Sequence, residues 1–120
     1  IDGFMAQTGD VQYGKAGGDL TLAGTGASDM PNIPAEFSNL PFLRGVVGMA
    51  RSSDPDSTDS QFIIMFAPGD FLNGQYTVAG HDDEGMDVVD KIKAVATGRS
   101  GMHQDVPKED VVITSVTVSE

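Results

Sequence analysis

The apolar residues of this chain occur in short runs separated by glycine- and proline-rich stretches, which limits the fold to short strands joined by long connections. Residues 61–66 (QFIIMF) form the strongest run, with β-branched and aromatic side chains between turn residues, and predict a strand. Residues 46–50 and 76–80 predict two further strands, residues 1–7 a strand end, and residues 111–118 a last strand. The pattern favours a mostly-β sheet or barrel.

One helix is predicted late in the chain, where apolar residues recur with helical spacing. They form a single stripe made of Val88, Val89, Ile92, Val95 and Ala96. Asp87 near the start and Lys93 near the end of this segment complement the helix dipole. Gly98 is predicted to end the helix.

The charge of the chain excludes two classes of partner. Its 18 acidic and 7 basic residues give a formal net charge of −11, which repels nucleic acid and anionic membranes. We interpret the acidity as serving solubility, and selection of substrates by charge is the alternative. The absence of cysteine excludes disulfides and cysteine-based zinc sites or nucleophiles. A length of 120 residues predicts one domain, residues 1–120.

No sequence motif predicts a metal or a cofactor. Residues 54–58 begin like a calcium-binding loop, but Asp59 and Met65 stand where that loop needs glycine and glutamate. His81 precedes three acidic residues without a second histidine at ligand spacing, which favours a solvated surface over a metal site.

Several uncharged side chains lie at the ends of the predicted strands, and by pattern alone they suit a core or a sheet edge as well as a binding site. They are Phe4, Met5, Gln7, Gln61, Ile63, Phe71, Leu72 and Tyr76. No catalytic nucleophile motif accompanies them.

Five segments nevertheless resemble one known family in their order along the chain. They are residues 1–10 (IDGFMAQTGD), 48–52 (GMARS), 60–64 (SQFII), 71–78 (FLNGQYTV) and 85–92 (GMDVVDKI). In this order they resemble the cyclophilin-type peptidyl-prolyl cis–trans isomerases, and the similarity extends from residue 1 to the C-terminal segment.

The resemblance implies an antiparallel eight-stranded barrel with capping helices, whose first strands and first helix are missing from this chain. We therefore expect the chain to be part of a longer protein that is a monomer once the missing part is present. The acidic loop 51–60 and Tyr76 look more like bacterial members, which implies a bacterial cytoplasmic or periplasmic protein.

The resemblance also implies a function, the acceleration of rotation about Xaa-Pro bonds to assist protein folding, without a metal or cofactor. Gln7, Phe4 and Gln61 are the implied catalytic residues, with Gln7 holding a substrate carbonyl and Gln61 supporting it. The implied substrate-binding residues are Met5, Ala50, Arg51, Ile63, Phe71, Leu72 and Tyr76. Arg51 is expected to act mainly through its backbone. The implied partners are proline-containing segments of client proteins and, bound weakly, cyclosporin-type ligands.

Two departures from the family pattern qualify this function. The family's catalytic arginine would lie just upstream of Ile1, and neither Arg44, Arg51 nor Arg99 matches it. A proline-peptide-binding or chaperone-like module with little turnover is therefore the alternative function, and a purely structural barrel is a third. In addition, Ile63 stands where the family usually has phenylalanine, which predicts a looser pocket and weaker binding.

Overall fold

A computed structural model describes residues 1–119 and is built mostly from strands, as the sequence predicts. Its elements are β1 (Met5–Thr8), β2 (Val46–Met49), β3 (Phe62–Met65), β4 (Val78–His81), α1 (Met86–Lys93), β5 (Thr97–Ser100) and β6 (His103–Pro107). Two short 3-10 turns, Leu20–Leu22 and Asp70–Leu72, lie in the connections.

The first four strands form one antiparallel sheet in the order β1-β3-β2-β4, and β5 and β6 form a separate hairpin. Strand β3 pairs on both edges, so that Ile63 lies between Gln7 of β1 and Gly48 of β2. Burial alternates along β3, with Ile63 and Met65 buried and their neighbours half-buried. This alternation turns one face of the sheet towards the core.

The core centres on Phe42 and Met65, whose side chains are fully buried, together with Ile63 and Leu72. The backbone of Phe42 is fixed on both sides. Its N–H donates to Oδ1 of Asn73 at 2.7 Å, and its carbonyl accepts from the N–H of Gly69 at 2.8 Å. Burying a phenylalanine side chain contributes about 1.5–3 kcal/mol to folding, so this ring is a major source of the stability of the sheet.

The helix is present, but it ends earlier than the sequence predicts. The N–H of Ala94 donates to the carbonyl of Asp90 and the N–H of Val95 donates to the carbonyl of Ile92, and α1 ends at Lys93. Gly98 therefore does not end the helix and instead pairs with Val106 in the β5–β6 hairpin. The prediction was wrong because the chain leaves the helix to form this local hairpin, and apolar spacing alone does not detect that change.

The predicted strand at residues 111–118 was also wrong. The last strand is β6, and residues 110–119 form no regular element. Val116 is 79% exposed and Val118 is 87% exposed, so these side chains do not contribute to a core. A Val- and Thr-rich segment becomes a strand only where a neighbouring strand receives its hydrogen bonds.

Within residues 1–119, the six strands form an open sheet and a hairpin rather than a closed eight-stranded barrel. The expected barrel closure is therefore not seen in the part of the chain that the structure describes. No helix in this part combines the length and the apolarity needed to cross a membrane.

We expect Gly48→Ala to lower the free energy of unfolding by about 1–3 kcal/mol, because overpacking of a core costs this much. A Cβ at Gly48 would overlap the Phe42 ring, lying 2.9 Å from its Cζ. Gly80→Ala in β4 is the matched control, since a Cβ there meets nothing within 4 Å. Urea unfolding of both variants measures the difference, and equal losses of stability would contradict the packing described here.

Candidate functional site

A cavity of about 210 Å³ lies beside β1 and β3. It is lined by Phe4, Met5, Gln7, Ala50, Arg51, Ile63, Phe71, Leu72 and Tyr76. Every one of these nine residues belongs to the site predicted from the sequence. The tenth predicted residue, Gln61, bonds to Gln7 at the border of the cavity. The structure thus brings the whole predicted set together, while the role of each residue remains a prediction.

The cavity has an apolar side that the core holds in place. Ile63 and Leu72 are buried members of the core cluster, and Phe4 packs against that cluster. The rings of Phe4 and Phe71 lie 5.2 Å apart with a 45° tilt. Phe71 is 70% exposed and therefore forms part of the rim. The volume is below the roughly 300–1,000 Å³ of sites for drug-sized ligands, so the cavity suits one small apolar group.

The polar end of the cavity is formed by two glutamines. Nε2 of Gln7 donates to Oε1 of Gln61 at 2.9 Å. Nε2 of Gln61 donates to the backbone carbonyls of Gly24 and Gly26, at 3.1 and 2.9 Å. A primary amide has two N–H donors and one carbonyl acceptor, so these bonds fix the orientation of the Gln61 amide. The second N–H of Gln7 lies outside this network and can donate to a ligand.

Arg51 forms one side of the cavity with two aromatic neighbours. Its guanidinium lies 4.9 Å from the ring centroid of Tyr76 and 5.9 Å from that of Phe37. Its Nε and Nη1 atoms are buried and have no hydrogen-bond partner within residues 1–119. The cation–π contacts between the guanidinium and these rings are worth about 0.5–2 kcal/mol each, and they hold the Tyr76 ring in place. Phe37 was not predicted as a site residue, because it lies in an irregular segment without a periodic signal.

Asp10 is a second residue that sequence analysis did not include in the site. Its side chain is only 6% exposed and accepts four backbone N–H bonds, from Gln12, Tyr13, Gly24 and Gly26. Burial acts to raise the pKa of Asp10, but these hydrogen bonds outweigh it, so the pKa lies below the ordinary value. Asp10 is therefore a charged anchor for the 24–26 turn, whose carbonyls hold Gln61.

A larger hollow of about 760 Å³ lies elsewhere, beside the end of α1. Its main charges bind each other, because Arg44 donates to both carboxylate oxygens of Asp90, at 2.8 and 3.0 Å. The hydrogen bond from Arg44 is the main cause that lowers the pKa of Asp90. None of the ten predicted site residues lines this hollow.

The histidine that the sequence places beside acidic residues lies at the surface. Nδ1 of His81 is 3.2 Å from Oδ1 of Asp83, and both side chains are largely exposed. Within residues 1–119, no group of three or more His, Cys, Asp or Glu side chains is arranged to hold a metal ion.

Comparison with known proteins gives a consistent result. The sequence model described as "Cyclophilin type peptidyl-prolyl cis-trans isomerase/CLD" matches residues 1–118. A probable peptidyl-prolyl cis-trans isomerase of Brucella abortus (strain 2308) is 58% identical over 103 residues, which cover 84% of this chain and 53% of that protein. Peptidyl-prolyl cis-trans isomerase B of Escherichia coli (strain K12) is 47% identical over 128 residues, covering 100% of this chain and 73% of that protein. The chain thus spans about half the length of the Brucella relative.

A solved structure shares the fold of this chain. A Cryptosporidium parvum cyclophilin type peptidyl-prolyl cis-trans isomerase, crystallised in the presence of the dipeptide Ala-Pro, superposes with a TM-score of 0.81 at 23% sequence identity. The match covers 100% of this chain and 71% of that one. At this identity the similarity shows the fold, so the described sheet, helix and hairpin are arranged as in that protein.

We expect Asp10→Asn to weaken the fold at neutral pH and to reduce its sensitivity to acid. Because the folded pKa of Asp10 is lowered, its charged form stabilises the fold fully above the ordinary, unfolded pKa of 3.8. This contribution is lost as the pH falls through the folded pKa. The difference in free energy of unfolding between the original protein and the variant should therefore shrink from about pH 5 downwards. Urea unfolding at a series of pH values measures it, and a constant difference would contradict the assignment.

Proposed function

The chain belongs to the cyclophilin-type peptidyl-prolyl cis–trans isomerase family, and on that basis we propose that the protein carrying it accelerates rotation about Xaa-Pro peptide bonds. The observation that carries the proposal is the cavity of about 210 Å³, which gathers an apolar pocket and an oriented glutamine amide in one place. Its proposed partners are proline-containing segments of client proteins, whose folding it assists.

The chemistry requires no covalent step. The partial double-bond character of the peptide bond sets a rotation barrier of about 18–20 kcal/mol, and uncatalysed exchange takes roughly tens to hundreds of seconds. A protein lowers this barrier by binding the twisted amide more tightly than either planar form. It must therefore hold the prolyl ring on one side of the bond and the neighbouring carbonyl on the other.

The geometry supports a division of these tasks. We propose that the prolyl ring is held by the apolar residues Phe4, Met5, Ile63 and Leu72. One N–H of the Gln7 amide donates to Oε1 of Gln61, and its second N–H donates to the substrate carbonyl. Ala50 and Arg51 lie beside the peptide, and Phe71 and Tyr76 bound the rim. The dipeptide Ala-Pro named with the Cryptosporidium structure belongs to the same class of ligand.

The resemblance implies that the family's catalytic arginine donates to the prolyl nitrogen, and that arginine matches no residue of this sequence. A donor aimed at a transition state is worth on the order of a hundredfold or more in rate. The activity is therefore proposed for the protein that carries this chain, and binding of proline peptides is proposed for the cavity itself. The compartments proposed for such a bacterial family member are the cytoplasm and the periplasm.

We expect Gln7→Ala to lower kcat/KM for an Xaa-Pro peptide by about tenfold, which corresponds to the loss of one hydrogen bond of about 1.4 kcal/mol. Exchange NMR of the peptide measures the catalysed rate without a coupled protease. Gln104→Ala is the matched control, because Gln104 is exposed on β6 and does not line the cavity. A protein that does not accelerate the exchange, or a Gln7 variant as active as the control, would contradict the proposal.

We expect Ile63→Phe to tighten the binding of proline peptides, and of cyclosporin-type ligands, by about two- to tenfold, since an aromatic contact adds roughly 0.5–1.5 kcal/mol. Ile64→Phe is the matched control, because neighbouring residues of a strand point to opposite faces and Ile64 does not line the cavity. Calorimetric titration measures both. An Ile63 variant that binds no more tightly than the original protein would refute the looser-pocket interpretation.

A further inference from the structure

The proposed reaction gives no task to Asp10, although Asp10 is one of only two polar residues with a buried side chain in the described chain. Asp10 does not line the cavity. A continuous series of hydrogen bonds nevertheless joins its carboxylate to the amide of Gln7. The geometry of each link indicates what the carboxylate does for the proposed site.

The first link joins the carboxylate to the backbone of the 24–26 turn. Oδ2 of Asp10 accepts the N–H of Gly24 at 2.8 Å and that of Gly26 at 2.9 Å. Oδ1 accepts the N–H groups of Gln12 and Tyr13, at 3.0 and 2.8 Å. Hydrogen bonds to an ionised group are roughly twice as strong as neutral ones. The bonds from Gln12 and Tyr13 hold the carboxylate, and the bonds from Gly24 and Gly26 fix where the turn lies against it.

The turn approaches so closely that one of its positions requires glycine. A Cβ at Gly26 would overlap Oδ1 of Asp10 and would lie 2.7 Å from Cβ of Gln12. Gly24 has a φ of 88°, in the left-handed region where glycine is favoured, but a Cβ there would meet nothing within 4 Å. Glycine at position 26 thus allows the turn to lie close against Asp10, and glycine at position 24 allows the backbone to adopt the left-handed conformation of the turn.

The second link passes from the turn to Gln61. Gly24 and Gly26, whose N–H groups bind Oδ2 of Asp10, also turn their carbonyls towards Gln61, and both carbonyls accept from its Nε2. Both donors of the Gln61 amide are thereby used, so only its Oε1 remains to receive Gln7. Because Oε1 is solely an acceptor, Gln7 must present its Nε2 there. The opposite flip of the Gln7 amide would place two acceptors against each other.

We infer that Asp10 is a positioning residue for Gln7, acting through the 24–26 turn and Gln61 to fix the direction in which the Gln7 amide faces the cavity. The catalytic consequence rests on the proposed function, whereas the positioning itself does not. A glutamine side chain at a partly open site otherwise samples several rotamers, and holding it in one of them removes that entropy cost before the substrate arrives.

The test compares Asp10→Asn with Asp19→Asn, a matched control in the same connection. Oδ1 of Asp19 also accepts a backbone N–H, that of Thr21 at 3.0 Å, but its bonds do not lead to Gln61. One readout is the side-chain amide resonances of Gln7 and Gln61 in ¹H–¹⁵N spectra. The other is the separate determination of kcat and KM by exchange NMR with an Xaa-Pro peptide.

We expect Asp10→Asn to shift the amide resonances of Gln7 and Gln61 and to lower kcat by about tenfold, since small displacements of a positioned group cost up to roughly a hundredfold. KM should change much less, because the apolar side of the cavity is held by the core. Asp19→Asn should change neither readout. A folded Asp10 variant with unshifted Gln7 resonances and an unchanged kcat would overturn the inference.

If Asp10→Asn does not fold, a second pair of variants tests whether the 24–26 turn positions Gln7. Gly24→Ala and Gly17→Ala both place a side chain at positive φ, with nothing within 4 Å of the new Cβ, so their local strain is comparable. Of these two glycines, Gly24 is bonded to both Asp10 and Gln61, whereas Gly17 is bonded to neither. We expect Gly24→Ala alone to shift the Gln7 resonances and lower kcat, and equal effects of the two variants would overturn the inference.

The same readouts distinguish failure of the proposed function from failure of the positioning role of Asp10. A protein without isomerase activity whose Gln7 resonances still respond to Asp10→Asn would refute the proposed function and keep the positioning role. An active protein whose Gln7 resonances and kcat are insensitive to Asp10→Asn and Gly24→Ala would refute the positioning role alone.

Discussion

The pairing of strand β3 on both of its edges is the constraint on which the core and the cavity depend. The alternation that buries Met65 against Phe42 also places Ile63, two residues earlier, on the same face of the sheet. Gln7 lies directly opposite Ile63 on β1, so the polar end of the cavity is held in register with its apolar floor. A shift of β1 by one residue against β3 would turn Gln7 to the opposite face of the sheet from Ile63.

The two halves of the cavity are held by different forces. Close packing around Phe42 fixes the apolar side, and the narrow space at Gly48 shows how little that packing can yield. Hydrogen bonds to the 24–26 turn fix the polar side, and these depend on the charge of one buried carboxylate, Asp10. A cavity whose apolar and polar sides are both held in place suits the proposed isomerisation, because a twisted amide is stabilised best by groups that are already in position.

The sequence alone predicted the positions of β1 to β4, because each contains a short apolar run next to turn residues, but it did not predict β5 and β6. It did not predict the element ends. Tyr76 lies outside β4 because its N–H bonds to Leu72 instead of a neighbouring strand, and residues 111–118 lack the strand partner that their composition suits. The grouping of Gln7, Ile63 and their neighbours came from the family resemblance, since spacing equally allowed a plain core.

The contributions of Asp10 and Phe37 depend on contacts between segments without periodicity, and such contacts leave no pattern in a single sequence. The central claim is that the cavity receives a prolyl ring. Intermolecular nuclear Overhauser effects between a labelled Ala-Pro peptide and the protein test this claim. We expect contacts from the prolyl ring protons to Phe4, Met5 and Leu72. Contacts confined to the hollow beside Arg44 and Asp90, or none from the ring to the cavity at saturating peptide, would contradict it.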